Sequence, residues 1–405
     1  MVKKNPHITK LKEGYLFSEI KKRKQALLKE KPEIKLLSLS IGDTTEAIPP
    51  YISKGMKKSI EMLASKETYT GYGPAHGLPI LQKKIAEYFY KGLAKEDEVY
   101  ISDGAKCDLG RLQLLFGNDV SVAIQDPAYP AYVDIAVIMG LSKDYNHSRK
   151  RYDGIIYMPC YAENGFFPDL SSTPRTDLII FCSPNNPTGA VATRKQLENL
   201  VSFAKENKSI IIFDTAYAAF IQDTDLPKSI YEIEGAREVA IEVGSFSKLA
   251  GFTGIRLGWT IVPKELLFDD STPVYQYWSR IHQTYFNSAS NIAQNGGVAV
   301  LENQGVEEVH SLITHYMENA RILQKTLGEC RIENYGAKNA PYLWADFRPK
   351  KSWEIFEKIL QEAHIISMPG LGFGPSGEGF LRFSAFASRK DIIEACSRLK
   401  KVLNE

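Results

Sequence analysis

Long apolar runs are missing from this chain of 405 residues. No stretch approaches the roughly 20 apolar residues that a membrane-spanning helix needs. The first residues, MVKKNPHITKLKEGYLF, contain no apolar core followed by a small-residue cleavage site, so a secretion signal is not expected. The sequence therefore predicts neither a membrane partner nor export.

An excess of one charge is missing as well. The chain carries 50 basic and 48 acidic side chains, which leaves a net charge of +2. A surface that binds nucleic acid or anionic lipid usually has a clear basic surplus. Neither kind of partner is expected.

Cysteine is scarce and scattered. The cysteines lie far apart and form no CxxC pair: Cys107, Cys160, Cys182, Cys330 and Cys396. Such a set is typical of reduced core thiols in a cytoplasmic protein rather than of a disulfide framework or a zinc site. His310 and His315 lie five positions apart, which does not match the spacing of a helical zinc-binding pair. We therefore expect a cytoplasmic protein without a metal.

Apolar runs that end in polar residues are what the chain does contain. They are VAIQDPAYPAY (122–132), LIIFCSPNNPTG (178–189), IIIFDTAY (210–217) and VAIEVGSFSK (239–248). Runs of this length without alternation are typical of strands buried on both faces. A helical pattern that opens at Thr193 lies between two of them. Strands that alternate with helices predict a parallel α/β sheet.

Polar side chains at the ends of these strands are expected to meet, because ligands bind beyond the carboxyl ends of parallel strands. The side chains predicted to converge are Tyr129, Asn186, Asp214, Tyr217, Ser245 and Lys248. A carboxylate such as Asp214 at the end of a buried strand is costly unless a cation or hydrogen-bond donors meet it. The convergence predicts a functional site.

The last hundred residues have a different pattern. A helical stretch from about residue 305 to 327 leads into shorter strand-like segments and two amphipathic helices, the second of which opens with a cap at Ser388. We predict a large domain over residues 50–290. A smaller α/β domain is predicted from residues 1–49 and 291–405.

Two glycine-containing stretches could suggest a phosphate-binding loop. GLGFG (370–374) is followed by GEGFLRFSAF where a helix should begin, so a nucleotide role is not expected. DGAK (103–106) is followed by a helical pattern, and the free N–H groups at a helix start bind phosphate well. The small side chain of Ala105 would let an anion approach.

Pyridoxal phosphate is one cofactor that needs this whole set of groups: a lysine, an acid for its ring nitrogen and a phosphate cradle. The stretches SPNNPTG, DTAY and SFSKLAGFTGIRLGW resemble the signature blocks of the fold-type I pyridoxal-phosphate aminotransferases, in the same order. The resemblance covers nearly the whole chain. It implies an α/β fold, with a large domain whose mostly parallel sheet lies between helices and a smaller α/β domain.

The resemblance also implies roles for individual residues. Lys248 would form the Schiff base with the cofactor and later carry a proton at the substrate α-carbon, with its pKa lowered by burial among cations. Asp214 would keep the ring nitrogen protonated. Asn186 and Tyr217 would hydrogen-bond the 3-oxygen of the ring, and Tyr129 would stack on its face. Lys248, Asp214 and Tyr217 are the predicted catalytic residues.

Two loops would hold the cofactor phosphate. The residues that the resemblance assigns to it or places beside it are Ser245, Ser247, Arg256, Ala105 and Lys106. Arg382, in FLRFS, matches the arginine that grips the substrate α-carboxylate with its planar fork.

A homodimer with shared active sites is implied too. Tyr72, in YTGYGPAHG, corresponds to a tyrosine that reaches the cofactor phosphate of the neighbouring subunit. Asn291, in FNSASN, is expected to cross the interface to the cofactor and substrate of the partner.

Five further stretches, LKEGYLFSEI, SDGAK, DPAYPAY, FNSASN and NAPYLW, resemble the LL-diaminopimelate aminotransferases. That family moves an amino group between LL-2,6-diaminopimelate and 2-oxoglutarate, and makes diaminopimelate from tetrahydrodipicolinate for lysine biosynthesis. The substrate contacts that it implies are Tyr15, the backbone of Gly42, Lys106, Tyr129, Asn186, Asn291 and Arg382. The family usually has a glutamate after GYGP, and this chain has Ala75.

Other functions remain open at this point. The shared blocks also suit another class I/II aminotransferase for aromatic or dicarboxylic amino acids, or a pyridoxal-phosphate C–S lyase. A cofactor-sensing regulator would need a DNA-binding domain before Tyr15 and is not expected. A non-catalytic interaction protein would have little reason to combine Lys248, Asp214 and Arg382.

Overall fold

The computed structural model describes residues 1–12 and 16–404. Its α-helices are, in chain order, α1 (Leu16–Glu30), α2 (Pro50–Ala64), α3 (Pro79–Ile85), α4 (Ala105–Phe116), α5 (Pro130–Ile138), α6 (Arg194–Asn207), α7 (Phe246–Leu249), α8 (Val274–Tyr285), α9 (Asn291–Val300), α10 (Asn303–Glu329), α11 (Ser352–Lys358) and α12 (Arg389–Leu403). Its strands are β1 (Leu37–Ser38), β2 (Val99–Ser102), β3 (Val122–Asp126), β4 (Tyr145–Asn146), β5 (Arg151–Tyr152), β6 (Ile155–Pro159), β7 (Leu178–Cys182), β8 (Ile210–Asp214), β9 (Ala240–Ser245), β10 (Gly258–Ile261), β11 (Asn334–Gly336), β12 (Tyr342–Asp346), β13 (Ile365–Ile366), β14 (Met368–Pro369) and β15 (Phe380–Ser384).

The central sheet has the strand order β2-β10-β9-β8-β7-β3-β6. The four apolar runs of the sequence form β3, β7, β8 and β9, and these strands and β6 pair in parallel. The prediction of a mostly parallel sheet is confirmed. β10 runs antiparallel between β2 and β9, and the sequence did not reveal it because the strand is short and follows a glycine-rich loop.

The predicted helix starts are also confirmed. The Thr193 side chain accepts a hydrogen bond from the Gln196 N–H at the start of α6. The Ser388 hydroxyl accepts one from the Asp391 N–H, 3.2 Å away, at the start of α12. A side-chain oxygen in this position satisfies an N–H group that the helix itself leaves without a partner.

A second layer of structure joins the two ends of the chain. β11, β12, β15 and β14 form an antiparallel sheet, and β1 pairs in parallel with β13. α1 packs in the same hydrophobic cluster as β12, β15 and α12. Within residues 370–374, Gly370–Phe373 forms a short 3₁₀ turn that is followed by a second short turn and then β15, so no helix follows the glycines.

α10 contributes to two hydrophobic clusters, one around the central sheet and one around the second layer. Its residues from Val309 to Met317 pack with the central sheet, whereas those from Ala320 to Leu327 pack with the second layer. α9, which precedes it, lies against α2, where Asn295 donates a hydrogen bond to Ser59 at 3.1 Å. The domain boundaries expected at residues 50 and 290 stay a prediction.

No helix in the described part of the chain is long and apolar enough to cross a membrane. Among the described residues there is also no group of three or more His, Cys, Asp or Glu side chains that could hold a metal ion.

Candidate active site

A cavity of about 450 Å³ opens at the carboxyl ends of β7, β8 and β9. Asp214 and Ser245 are the last residues of β8 and β9, and Asn186 follows β7 within a few residues. The predicted site residues that line this cavity are Gly42, Ala105, Lys106, Tyr129, Asn186, Asp214, Tyr217, Ser245, Ser247, Lys248, Arg256 and Arg382. The structure therefore brings together the side chains that were expected to converge.

Lys248 lies in α7 and reaches across the cavity, where its Nζ donates a hydrogen bond to the Gly42 carbonyl. Burial lowers the pKa of this lysine to about 8; Asp43 acts in the opposite direction, and the nearby Arg382 and Arg256 lower it further. A lysine near pKa 8 is partly neutral at neutral pH, so it can accept a proton. This is the lowered lysine pKa that the sequence predicts.

Asp214 is buried beneath the cavity. Its carboxylate accepts hydrogen bonds from the Tyr132 hydroxyl at 2.7 Å and from the Ala216 N–H at 2.9 Å. Burial raises the pKa of this carboxyl, although both hydrogen bonds lower it. Both donors are neutral, and an anion buried in this way is stabilised by a cation at its free edge.

Ser245, Ser247 and Arg256, which line the same cavity, form a cradle for an anion. The Ser245 hydroxyl accepts from the Ser247 N–H at 3.1 Å. Arg256 donates from Nη1 to the Ser247 hydroxyl at 3.4 Å and to the Thr253 carbonyl at 3.1 Å. Hydroxyls, a guanidinium and the nearby start of α4 together suit a phosphate group.

Glycine is required at position 104, immediately before α4. Its φ is +117°, and a Cβ there would lie 2.4 Å from Nη2 of Arg256. The loop can approach the guanidinium this closely only without a side chain. This close approach places the N-terminus of α4 in the same cradle as Arg256.

Arg382 is almost completely buried, with 3% of its surface exposed. Its Nη1 donates to Oδ1 of Asn186 at 2.6 Å and its Nη2 donates to the Ser40 carbonyl. Its Nε has no hydrogen-bond partner among the described residues. A buried guanidinium with a donor left over is suited to bind a carboxylate.

Two of the side chains that line the cavity are phenols in contact with each other, Tyr217 and Tyr342. The hydroxyls of Tyr217 and Tyr342 lie 2.7 Å apart, and burial raises the pKa of both. Both therefore remain neutral hydrogen-bonding groups at physiological pH. A Cβ at Gly42 would lie 2.0 Å from the Tyr342 hydroxyl oxygen, which explains why this position has no side chain.

The other predicted contact residues lie at the cavity wall, outside the cavity or outside the described residues. The Lys106 Nζ lies 6.0 Å from the centre of the Tyr129 ring, at the cavity wall. Tyr72 is 93% exposed and does not line the cavity. Asn291 is also outside the cavity, where it donates to the Gly71 carbonyl at 3.2 Å. Tyr15 lies outside the described residues.

The position after GYGP carries no carboxylate. Ala75 is followed by His76, whose Nε2 lies 2.9 Å from the Ser279 hydroxyl and 3.2 Å from Nε2 of Gln283. Both groups can donate to a neutral imidazole, and burial lowers the pKa of His76. His76 is therefore a neutral group that does not replace a carboxylate at this position.

The family model described as aminotransferase class I and II matches residues 34–399. The chain belongs to this family. It is 55% identical to the LL-diaminopimelate aminotransferase of Protochlamydia amoebophila over 403 residues, which cover 100% of this chain and 98% of that protein. It is 52% identical to the chloroplastic LL-diaminopimelate aminotransferase of Arabidopsis thaliana, with coverage of 99% and 87%.

The fold is also similar to that of a solved structure. The L,L-diaminopimelate aminotransferase from Chlamydomonas reinhardtii superimposes with a TM-score of 0.95 at 51% identity, covering 99% of this chain and 98% of that one. The protein is a pyridoxal-phosphate-dependent aminotransferase of fold type I.

The site of this aminotransferase fits pyridoxal phosphate. The donors that the described residues give to the buried Asp214 carboxylate are neutral, so its negative charge suits a protonated ring nitrogen. The cradle of Ser245, Ser247 and Arg256 offers donors to a phosphate. Lys248, with its lowered pKa, lines the same cavity as both.

Several cavity residues have no signal of their own in the sequence. Tyr132 contacts Asp214 directly, but it lies in the apolar helix α5 and has the pattern of a core residue. Tyr342 lies in the quoted stretch NAPYLW, where nothing in the sequence indicates its contact with Tyr217. Ile41 and Asp43 flank Gly42 at the cavity wall. Their proximity to a residue assigned from the resemblance was the one available signal.

Proposed function

We propose that this aminotransferase moves an amino group between LL-2,6-diaminopimelate and 2-oxoglutarate, and that it makes diaminopimelate from tetrahydrodipicolinate and L-glutamate in lysine biosynthesis. The observation that carries the proposal is the identity of 55% and 52%, over at least 99% of this chain, to two enzymes named for this substrate. The cavity supports it with cations in two separate places.

These cations suit a substrate that has a carboxylate at each end. Arg382 would hold the α-carboxylate, because its buried fork has a donor left over. Lys106, whose side chain is exposed, lines the same cavity and would hold the distal carboxylate. A monocarboxylic amino acid would use only Arg382.

Pyridoxal phosphate, when bound, supplies an electron sink that stabilises negative charge at the substrate α-carbon. The Asp214 carboxylate would hold the proton on the ring nitrogen. The neutral phenol of Tyr217 and the amide of Asn186 would hydrogen-bond the 3-oxygen of the ring. The Lys248 amine would take a proton from the substrate α-carbon and return it, which its pKa of about 8 permits at neutral pH.

We also propose a homodimer with shared sites, working in the cytoplasm. Tyr69, Tyr72 and Tyr285 are 66%, 93% and 65% exposed. Large exposed rings are typical of surfaces that become buried against a partner. Tyr72 would reach the phosphate of the neighbouring subunit, and Asn291, bonded to the Gly71 carbonyl, would approach the same site.

A second candidate is an aminotransferase for simpler dicarboxylic amino acids. Ala75 favours it, since this position offers no carboxylate to the distal ammonium of diaminopimelate. Such an enzyme would use Lys106 and Arg382 in the same way. The two candidates differ only in whether a distal ammonium is tolerated or recognised.

A screen of amino donors with the purified protein and 2-oxoglutarate tests the proposal. We expect LL-diaminopimelate to form glutamate with a higher kcat/KM than aspartate or phenylalanine. A preference for aspartate or phenylalanine would contradict the assignment. Cystathionine, tested in the same series, should release no pyruvate or ammonia; their release would identify a C–S lyase instead.

A further inference from the structure

The wall loop, which we define as Ile41–Glu46, follows β1 and runs along the cavity. Its residues Ile41, Gly42 and Asp43 line the cavity. Lys248 donates to the Gly42 carbonyl. The position of this loop therefore sets the space that a substrate has beside Lys248.

The far end of the wall loop is attached to α10 by one phenol. The Tyr316 hydroxyl oxygen accepts hydrogen bonds from the N–H groups of Thr45 and Glu46, each at 2.9 Å. Tyr316 is completely buried, and its ring meets that of Phe386 edge-on at 4.8 Å. The centre of the Phe386 ring in turn lies 5.9 Å from the Lys248 Nζ.

The other attachments of this part of the loop are weaker. The hydroxyls of Thr44 and Thr253 lie 3.4 Å apart, near the limit of a hydrogen bond. His315 and Glu46 lie 3.5 Å apart and are both partly exposed to solvent, where an ion pair contributes little.

On its cavity side, the wall loop has little room to move. A Cβ at Gly42 would lie 2.0 Å from the Tyr342 hydroxyl oxygen, so the loop backbone already lies against this phenol. A small displacement of the loop would therefore change the contact with Tyr342 or with Lys248.

We propose that Tyr316 is a positioning residue that holds the wall loop at the distance at which the loop backbone can bind the amino-acid substrate. Tyr316 lies in the part of α10 that packs with the central sheet, shortly before the part that packs with the second layer. The loop is thus fixed relative to both. The link to substrate binding rests on the proposed aminotransferase substrate, whereas the attachment itself does not.

The variant Tyr316→Phe tests the proposal, because it removes only the hydroxyl and leaves two neighbouring N–H groups without their acceptor. Amide hydrogen exchange at Thr45 and Glu46, measured without substrate, should accelerate by about 10-fold or more. KM for the amino donor should rise about 10-fold, whereas kcat should change by less than about 2-fold. Affinity for pyridoxal phosphate, measured from visible absorbance, should stay unchanged.

Tyr231→Phe is the matched control. Tyr231 is a buried phenol that accepts from the Glu242 N–H at 3.2 Å and donates to the Ala240 carbonyl at 3.1 Å. Its loss should destabilise the protein to a similar degree but leave KM unchanged. Glu46→Gln, which weakens only the exposed pair with His315, should also leave KM unchanged.

Unchanged exchange at Thr45 and Glu46 in Tyr316→Phe would overturn the proposal, as would faster exchange with an unchanged KM. An equal rise of KM in Tyr231→Phe would overturn it too, because general destabilisation would then explain the effect. If Tyr316→Phe does not fold, the wild-type amides of Thr45 and Glu46 decide: they should exchange as slowly as those of α10. Failure of the protein to use diaminopimelate leaves the exchange and cofactor measurements valid, so it is separable from failure of this proposal.

Discussion

The two ends of the cavity differ in how they are built. At the inner end, Asp214 and Arg382 are buried and Lys248 is half-buried. Each has a hydrogen bond to a neighbouring element: Lys248 donates to the Gly42 carbonyl, Asp214 accepts from the Tyr132 hydroxyl of α5, and Arg382 donates to Asn186. At the outer end, Lys106 is exposed, and its Nζ lies 6.0 Å from the centre of the Tyr129 ring. Tyr72 lies on the surface.

The difference in burial indicates that the inner end serves catalysis and the outer end serves substrate specificity. A catalytic group needs a perturbed pKa and a fixed orientation, and burial at the ends of strands supplies both. On the proposed function, recognition of the far end of a substrate would fall to exposed side chains such as Lys106 and to the partner subunit. Changes at the inner end should therefore abolish the reaction, whereas changes at the outer end should alter which substrate is preferred.

The largest effect is expected from Lys248→Ala. Without this amine the proton at the substrate α-carbon has no acceptor, so kcat should fall by roughly 10³-fold or more. Pyridoxal phosphate should still bind through Ser245 and Arg256, but without the yellow colour of a lysine-bound cofactor. Single-turnover absorbance measures both the rate of the reaction and the colour of the bound cofactor. Lys264→Ala, an exposed lysine paired with Asp97, is the control and should behave as wild type; transamination by Lys248→Ala near the wild-type rate would contradict the role of this lysine.

The second effect is a pH dependence at the inner end. Burial lowers the pKa of Lys248 to about 8, and only the neutral amine attacks the aldehyde of pyridoxal phosphate. The rate at which the apoprotein captures the cofactor should therefore rise about 10-fold per pH unit below pH 8 and level off above it. Stopped-flow absorbance between pH 6 and pH 9 measures this. A rate that still rises steeply at pH 9 would show that the lysine has an ordinary pKa.

A smaller effect is expected from Tyr72→Phe, which should weaken cofactor retention by roughly 10-fold if this hydroxyl binds the phosphate of the neighbouring subunit. Mixing Tyr72→Phe with Lys248→Ala and allowing subunits to exchange should restore activity, because each heterodimer has one intact site. Activity after mixing that merely equals the sum of the two separate variants would rule out a shared site.

The smallest effect is expected from Ala75→Glu. A carboxylate at this position could pair with the distal ammonium of diaminopimelate, so the preference for LL-diaminopimelate over glutamate should rise several-fold. Steady-state kinetics with both donors measures the ratio, and Ala75→Gln is the uncharged control. An equal gain in the Ala75→Gln variant would show that the size of the side chain rather than its charge is responsible.

The sequence predicted the inner end better than the outer end for a physical reason. Asp214 and Lys248 follow apolar runs that could only be buried strands, and parallel strands bring their carboxyl ends together. Tyr132 and Tyr316 could not be found in this way, because both lie on helices where a tyrosine has the pattern of a core residue. Their importance comes from a single hydroxyl contact between segments that are distant in the sequence.

The outer end depends on information that one chain does not carry. The role proposed for the exposed Tyr72 needs a partner subunit, and only the resemblance indicates it. Lys106 was predicted from the same resemblance, and the structure places it at the cavity wall. The position of Lys106 at the cavity is therefore better supported than its contact with a particular substrate.

Lys106→Ala provides the most direct measurement of the proposed function. A charge-assisted hydrogen bond contributes roughly 1.5–3 kcal/mol, so kcat/KM for LL-diaminopimelate and for glutamate should fall by about one to two orders of magnitude. A monocarboxylic donor such as phenylalanine should lose much less, since Arg382 alone holds its carboxylate. If all donors lose the same factor, Lys106 serves the cofactor phosphate rather than a distal carboxylate, and the assignment of a substrate with two carboxylates is contradicted.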